Sequence, residues 1–235
     1  MRRLQVEFSG GLEFTYIMVG IAQTVDPRAK LEVTLQTVAE SGMPADPRVW
    51  LEAPPRSSFP ACLAVKAAAE QGLDGPYLRR LRLGLMTRRE RIDDMASLTA
   101  AARDVDGLDL ARFEIDLRSN AIVEAFGADR ERAAAESPPS EDRPGVPAFS
   151  FDGGPVLETG DLGELRAAAL GAGAQPGPLP DPEAALRQLG PMGAAEVAAV
   201  CDLPGPRARM ELWRLAGEFR ARPTALVCGE LWEAA

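Results

Sequence analysis

The chain has 235 residues, room for one domain with an appendage or two small domains, and with 46% of it apolar it is not disordered as a whole. Its formal net charge of -9 argues against a surface-wide attraction to nucleic acid or anionic membrane. It contains no histidine, which excludes His-based general bases, His-containing triads and His-metal clusters.

Met1, Arg2 and Arg3 start the chain with charge, and Glu7 and Glu13 interrupt the next stretch before a signal-peptide core can form. No apolar run reaches the roughly 18 residues a membrane-crossing helix needs. A soluble, cytoplasmic protein is expected, with Cys62, Cys201 and Cys228 reduced. These cysteines stand singly, so there is neither a Cys-x-x-Cys pair nor a zinc-ligand spacing, and no metal or cofactor is expected.

Leu4 to Phe8 alternates apolar and polar side chains and runs into Ser9-Gly10-Gly11, which predicts a strand and a turn, then a helix over Phe14 to Gln23. Leu31, Val33 and Leu35 predict a second strand over Leu31 to Val38. The prolines of Ala39 to Phe59 predict an irregular segment anchored by Trp50 and Leu51. From Pro60 to Glu136 the pattern is helical almost throughout, with Asp93 and Asp109 placed as N-caps. Ser137 to Asp142 reads as a mobile break.

Val146-Pro147 then enters a short strand in which Phe149 and Phe151 alternate with Ser150, and Asp152-Gly153-Gly154 turns it into a second strand at Val156 to Glu158. Asp161 and Glu164 have capping-box spacing for the next helix. Residues 172–180 read as a Gly/Ala/Pro linker. Beyond it Asp181-Pro182 opens a helix, Met192 to Val200 a second and Arg207 to Arg220 a third, with Met210, Trp213 and Leu215 near its inner face. A hairpin around Gly229 comes next, an order that suggests a small winged helix.

Pro60 to Ala68, Tyr77 to Leu81, Gly107-Leu108-Asp109, Phe113 to Ser119 and Val146-Pro147 resemble the DsbA-like thioredoxin-fold proteins. Within that group the chain is most similar to the branch containing the ClpXP adaptor that delivers the transcription factor Spx for degradation, a likeness that continues from Ala195 to Trp232. The resemblance implies an α/β thioredoxin fold over residues 1–171 with an all-helical insertion at about 60–136, and a winged-helix-like subdomain over 181–235. It also implies a cis-proline at Val146-Pro147 facing the site of the family's redox motif. Here that site reads Leu12-Glu13-Phe14-Thr15-Tyr16, with Leu12 in place of the attacking thiol and Thr15 in place of the resolving one. Dithiol exchange by this segment is chemically excluded, because leucine offers no nucleophile and no histidine activates the threonine.

The function implied is that of a protein-binding or proteolysis-adaptor protein without redox turnover, in which Leu12, Glu13, Phe14, Thr15, Tyr16, Val146 and Pro147 bind a protein or peptide partner and no residue is catalytic. The alternative is a thiol-dependent oxidoreductase or a glutathione-type transferase or isomerase that takes a low-molecular-weight thiol. Leu12 counts against it, because that branch places a hydroxyl there. Cys62 near a helix start is the one candidate reactive thiol, set against its reading as a small core residue among Ala61, Leu63 and Ala64. DNA recognition by Arg207, Arg209, Arg214 and Arg220 is disfavoured by Glu211 and Glu218 on the same helix.

Overall fold

Aspartate side chains cap four of the helices in the structure, a computed structural model that describes residues 1–136 and 146–235. The break expected at Ser137 to Asp142 lies outside the described residues. Helices α1 (Arg2–Glu7), α2 (Pro27–Ser41) and α3 (Val49–Glu52) precede a helical block of α4 (Phe59–Ala69), α5 (Asp74–Arg88), α6 (Met95–Arg103), α7 (Leu110–Asp116) and α8 (Asn120–Glu136). After α9 (Leu162–Gly171) come α10 (Pro182–Leu189), β1 (Met192–Gly193), α11 (Ala194–Cys201), α12 (Gly205–Gly217), β2 (Ala221–Ala225) and β3 (Glu230–Ala234). Asp109, Asp161 and Asp181 cap α7, α9 and α10 by accepting the N–H of Arg112 at 3.1 Å, Glu164 at 2.9 Å and Ala184 at 2.8 Å. The cap of α6 is Asp94 rather than Asp93: Asp94 accepts the Ser97 N–H at 2.9 Å, while Asp93 takes the Arg56 N–H at 2.6 Å.

The chain divides into two compact units, one of residues 1–12, 27–52 and 174–235, the other of 13–26 and 53–173. This grouping differs from a division at the 172–180 linker.

In the second unit α4 is the central helix, packed on α5 and α8. Its buried Ala61, Ala64, Ala67 and Ala68 have short side chains that let neighbouring helices approach, and Val65, Tyr77, Leu81, Leu98, Phe113 and Ile122 fill the space between them. The Tyr77 and Phe113 rings meet at 5.2 Å, and the Tyr77 hydroxyl donates to the Leu98 carbonyl at 3.0 Å. Burial pushes that hydroxyl well above the usual phenol range. Arg80 holds Glu90 at 2.5 Å and Asp104 at 2.8 Å, tying α5 to the end of α6.

In the first unit a three-stranded antiparallel sheet of order β1-β3-β2 packs with α10, α11 and α12 around Trp232, Met192, Leu186, Leu212 and Leu215. Ala235 N donates to Arg220 O and Leu226 N to Gly229 O, so the bonded pairs fall at even positions of β2. Pro223 therefore stands on the free edge of β2, where it lacks no ladder bond and blunts pairing with another chain. Helix α1 joins this unit through Arg3, buried with Glu7 in an ion pair of 2.7 Å and donating to the Ala199 carbonyl at 2.9 Å. Ala45 bridges Cys228, and Pro44 packs so tightly on Gly193 that a Cβ there would lie 2.3 Å from the proline ring.

Several sequence expectations are corrected. Leu4 to Phe8 is not a strand, because Leu4 and Val6 bury equally well from α1, whose turns the Arg3–Glu7 pair clasps. Leu31 to Val38 lies within α2, where Leu31, Thr34, Leu35 and Val38 also satisfy helical spacing and Thr34 accepts the Trp50 indole N–H at 2.8 Å. Trp50 is an anchor; Leu51 is 68% exposed and is not. Phe14 to Gln23 forms no helix. The Val146 strand is reduced to a Phe149–Leu157 bridge. On α12 Leu215 is buried, but Met210 and Trp213 face outward.

Candidate functional site

Residues 13–26 run without regular structure in the second unit, held by side chains of α4 and α8. The Asp129 carboxylate, nearly buried, accepts the Met18 N–H at 2.8 Å and pairs with the Lys66 ammonium at 3.0 Å. Ser58 accepts the Ala22 N–H at 3.0 Å and donates its hydroxyl to the Ala22 carbonyl at 2.9 Å. Between these ties Gly20, at φ +63°, lies against the edge-to-face rings of Phe59 and Phe126, over which Arg130 is stacked. These bonds take backbone donors that a helix over Phe14 to Gln23 would have used internally, which is why no helix forms.

Ahead of the tethered part the chain has no regular structure, but its burial alternates. Glu13 and Thr15 are exposed while Phe14 and Tyr16 are half-buried, a period of two, and the Tyr16 ring covers Gly75. Among the described residues, Glu13, Phe14 and Thr15 make no backbone hydrogen bond. They form a short stretch with free donors and acceptors.

Leu12 falls in the first unit, where its N–H donates to the Phe8 carbonyl at 3.2 Å. Val146 is half-buried and Pro147 exposed in the second unit, joined by a cis peptide bond. Cys62 is buried in the first turns of α4, and burial pushes its thiol up, against a smaller downward pull from a hydrogen bond with Gly20. Burial likewise raises Cys201 to about 11. Neither thiol is poised as a thiolate at neutral pH. Among the described residues no group of histidine, cysteine or carboxylates could hold a metal ion, and no helix is long and apolar enough to cross a membrane.

Sequence reasoning missed Asp129 and Ser58, the two residues that shape the loop. Asp129 had a readable signal: Ile122, Phe126 and Asp129 lie on the buried face of α8, and a carboxylate on an apolar stripe needs a partner. Ser58 had none.

A thioredoxin family model matches residues 1–136 of the chain. Over its length the chain is similar to two ClpXP adapter proteins named SpxH. It is 26% identical to the one from Halalkalibacterium halodurans, over 99% of this chain and 81% of that protein. To the one from Bacillus subtilis it is 27% identical, over 83% of this chain and 68% of that protein. The chain thus belongs to the thioredoxin family, with the half-exposed loop of residues 13–26 inside the matched region.

Proposed function

We propose that this protein is a non-redox adaptor that holds a partner polypeptide on the segment Glu13 to Tyr16 and delivers it to a ClpXP-type protease, an Spx-type transcription factor being the cargo. One observation carries the reading: where the family keeps its dithiol, this chain presents Glu13, Phe14 and Thr15 with unpaired backbone groups and no thiol. Such a stretch takes an incoming strand through main-chain hydrogen bonds and needs no catalytic residue. Phe14 would sort the partner's side chains, with Val146 and Pro147 of the same unit as further candidates, and Leu12 precedes the segment in sequence. The raised thiols of Cys62 and Cys201 speak against the oxidoreductase alternative. Residues 181–235 are read as a winged-helix-like module that adds protein contacts.

The test is degradation of a purified Spx-type factor by ClpXP with and without the full chain. The protein should accelerate degradation, and Thr15→Pro, which removes one backbone donor from the edge, should reduce the acceleration while leaving the fold intact. Insulin disulfide reduction that depends on Cys62, with no effect on degradation, would refute the reading.

A further inference from the structure

Helix α12 has a buried face and an outer face of a different character. Ala208, Leu212 and Leu215 are almost fully buried and close the core of the first unit. On the opposite side Met210 is 59% and Trp213 51% exposed, and just past the helix Phe219 is 89% exposed at a φ of +58°. Phe219 takes the left-handed position that closes α12, its N–H donating to the Ala216 carbonyl at 3.0 Å and the Arg220 N–H to the Leu215 carbonyl at 2.9 Å, a place where glycine or asparagine costs less, and its ring is left to solvent. Trp213 rests edge-on against the buried Trp232 at 5.0 Å, which fixes its ring while leaving much of its surface to solvent.

Charge frames this apolar strip. At 3.6 residues per turn Arg209 falls on one flank of Met210 and Trp213, and Arg207 and Arg214 on the other. Arg214 is held by Glu211 at 2.8 Å and Glu218 at 2.6 Å, and Arg220 pairs with Glu183 and Glu218. Among the described residues Arg207 and Arg209 make no ion pair. The strip is therefore methionine and aromatic carbon between two unneutralised guanidiniums, on a chain whose net charge is -9. Methionine, aromatic residues and arginine are the types enriched in protein interfaces. Phosphate backbones would engage the arginines but leave Met210 and Phe219 without a role.

We propose that the outer face of α12, with Phe219, docks an acidic amphipathic segment of a partner protein: glutamates or aspartates on Arg207 and Arg209, apolar side chains on Met210, Trp213 and Phe219. This surface shares no residue with the Glu13 to Tyr16 edge and does not depend on the adaptor reading. It gives the chain a second protein contact.

The test titrates the full chain with a synthetic helical peptide that carries leucine and phenylalanine at i, i+3, i+4 and i+7 between glutamates, read by tryptophan fluorescence and calorimetry. A copy with lysine for every glutamate and a short duplex DNA are the comparisons. The acidic peptide should bind saturably and shift the fluorescence, and the lysine copy should not bind. The double variant R207E/R209E and the single variant Met210→Glu should each weaken binding about tenfold or more. Phe219→Asn should weaken it too while leaving the melting temperature unchanged or higher, since asparagine accepts a positive φ more readily. Absence of saturable binding, variants that bind like the wild type, or duplex DNA binding tighter than the peptide through the same arginines would each overturn the proposal.

Discussion

Asp129 is the residue on which the loop of the candidate site most depends, and its removal can be worked through. The carboxylate accepts the Met18 N–H and pairs with Lys66, whose side chain is 17% exposed. A charge-assisted hydrogen bond contributes about 1.5 to 3 kcal/mol. Breaking a fully buried pair costs about 3 to 5 kcal/mol, and the Lys66 stem can carry its ammonium part of the way to water, so the lower end applies. Asp129→Ala should therefore destabilise the protein by about 2 to 4 kcal/mol, which for a chain of this length lowers Tm by roughly 4 to 8 °C. Asp129→Asn keeps an acceptor for Met18 and loses only the charge, so it should cost about half as much.

Stability alone would not prove the loop is the part affected. Amide hydrogen exchange supplies the local readout: Met18 should lose protection strongly in Asp129→Ala and partly in Asp129→Asn, while the Phe113 amide in the α7 core region changes only with global stability. Capture of a partner by Glu13 to Tyr16 should fall in the same order. If both variants lie within about 0.5 kcal/mol of wild type and Met18 exchange is unchanged, Asp129 does not hold the loop and the geometric argument fails.

Other expectations can be checked singly. Gly20→Ala places a Cβ 2.7 Å from the Phe59 ring at a positive φ, so denaturant unfolding should show a loss of about 2 kcal/mol or more. Asp94 is held below the usual carboxylate range chiefly by the Ser97 N–H and then its hydroxyl; its cap contribution is present above the unfolded value of about 4 and lost as pH falls through the folded one. Asp94→Ala should accordingly cost about 1 kcal/mol at neutral pH and progressively less in acid. Cys201, raised to about 11 from an ordinary value of 9.0, contributes stability that is complete below pH 9 and lost between pH 9 and 11. Cys201→Ser should flatten that decline, and native-state alkylation at neutral pH should be slow at both Cys62 and Cys201.

What could be read from sequence divides along the range of the interactions. The caps at Asp109, Asp161 and Asp181 were legible because donor and acceptor lie within one turn of each other, and the helical block was legible because its apolar stripes repeat over many turns. Leu31 to Val38 was not, since eight residues with apolar side chains at 31, 33, 35 and 38 satisfy a strand and a helix alike, and the Trp50 indole on Thr34 lies outside any local window. The loop fails for the same reason: Met18 finds its acceptor 111 residues away and Ala22 finds one 36 away, so nothing inside Phe14 to Gln23 announces that its donors are taken.

The candidate segment shows the opposite limit. Leu12 to Tyr16 was singled out through family resemblance, and the residues themselves gave only what they lack, a thiol. The period-two burial of the segment and the free backbone groups of Glu13, Phe14 and Thr15 exist because Asp129 and Ser58 fix the chain downstream and Tyr16 packs over Gly75. A substitution at any of those anchors would leave the five residues in place and remove the edge they form. The proposed binding capacity therefore belongs to the tethering as much as to the segment, and partner capture should track Met18 protection across anchor variants more closely than it tracks global stability.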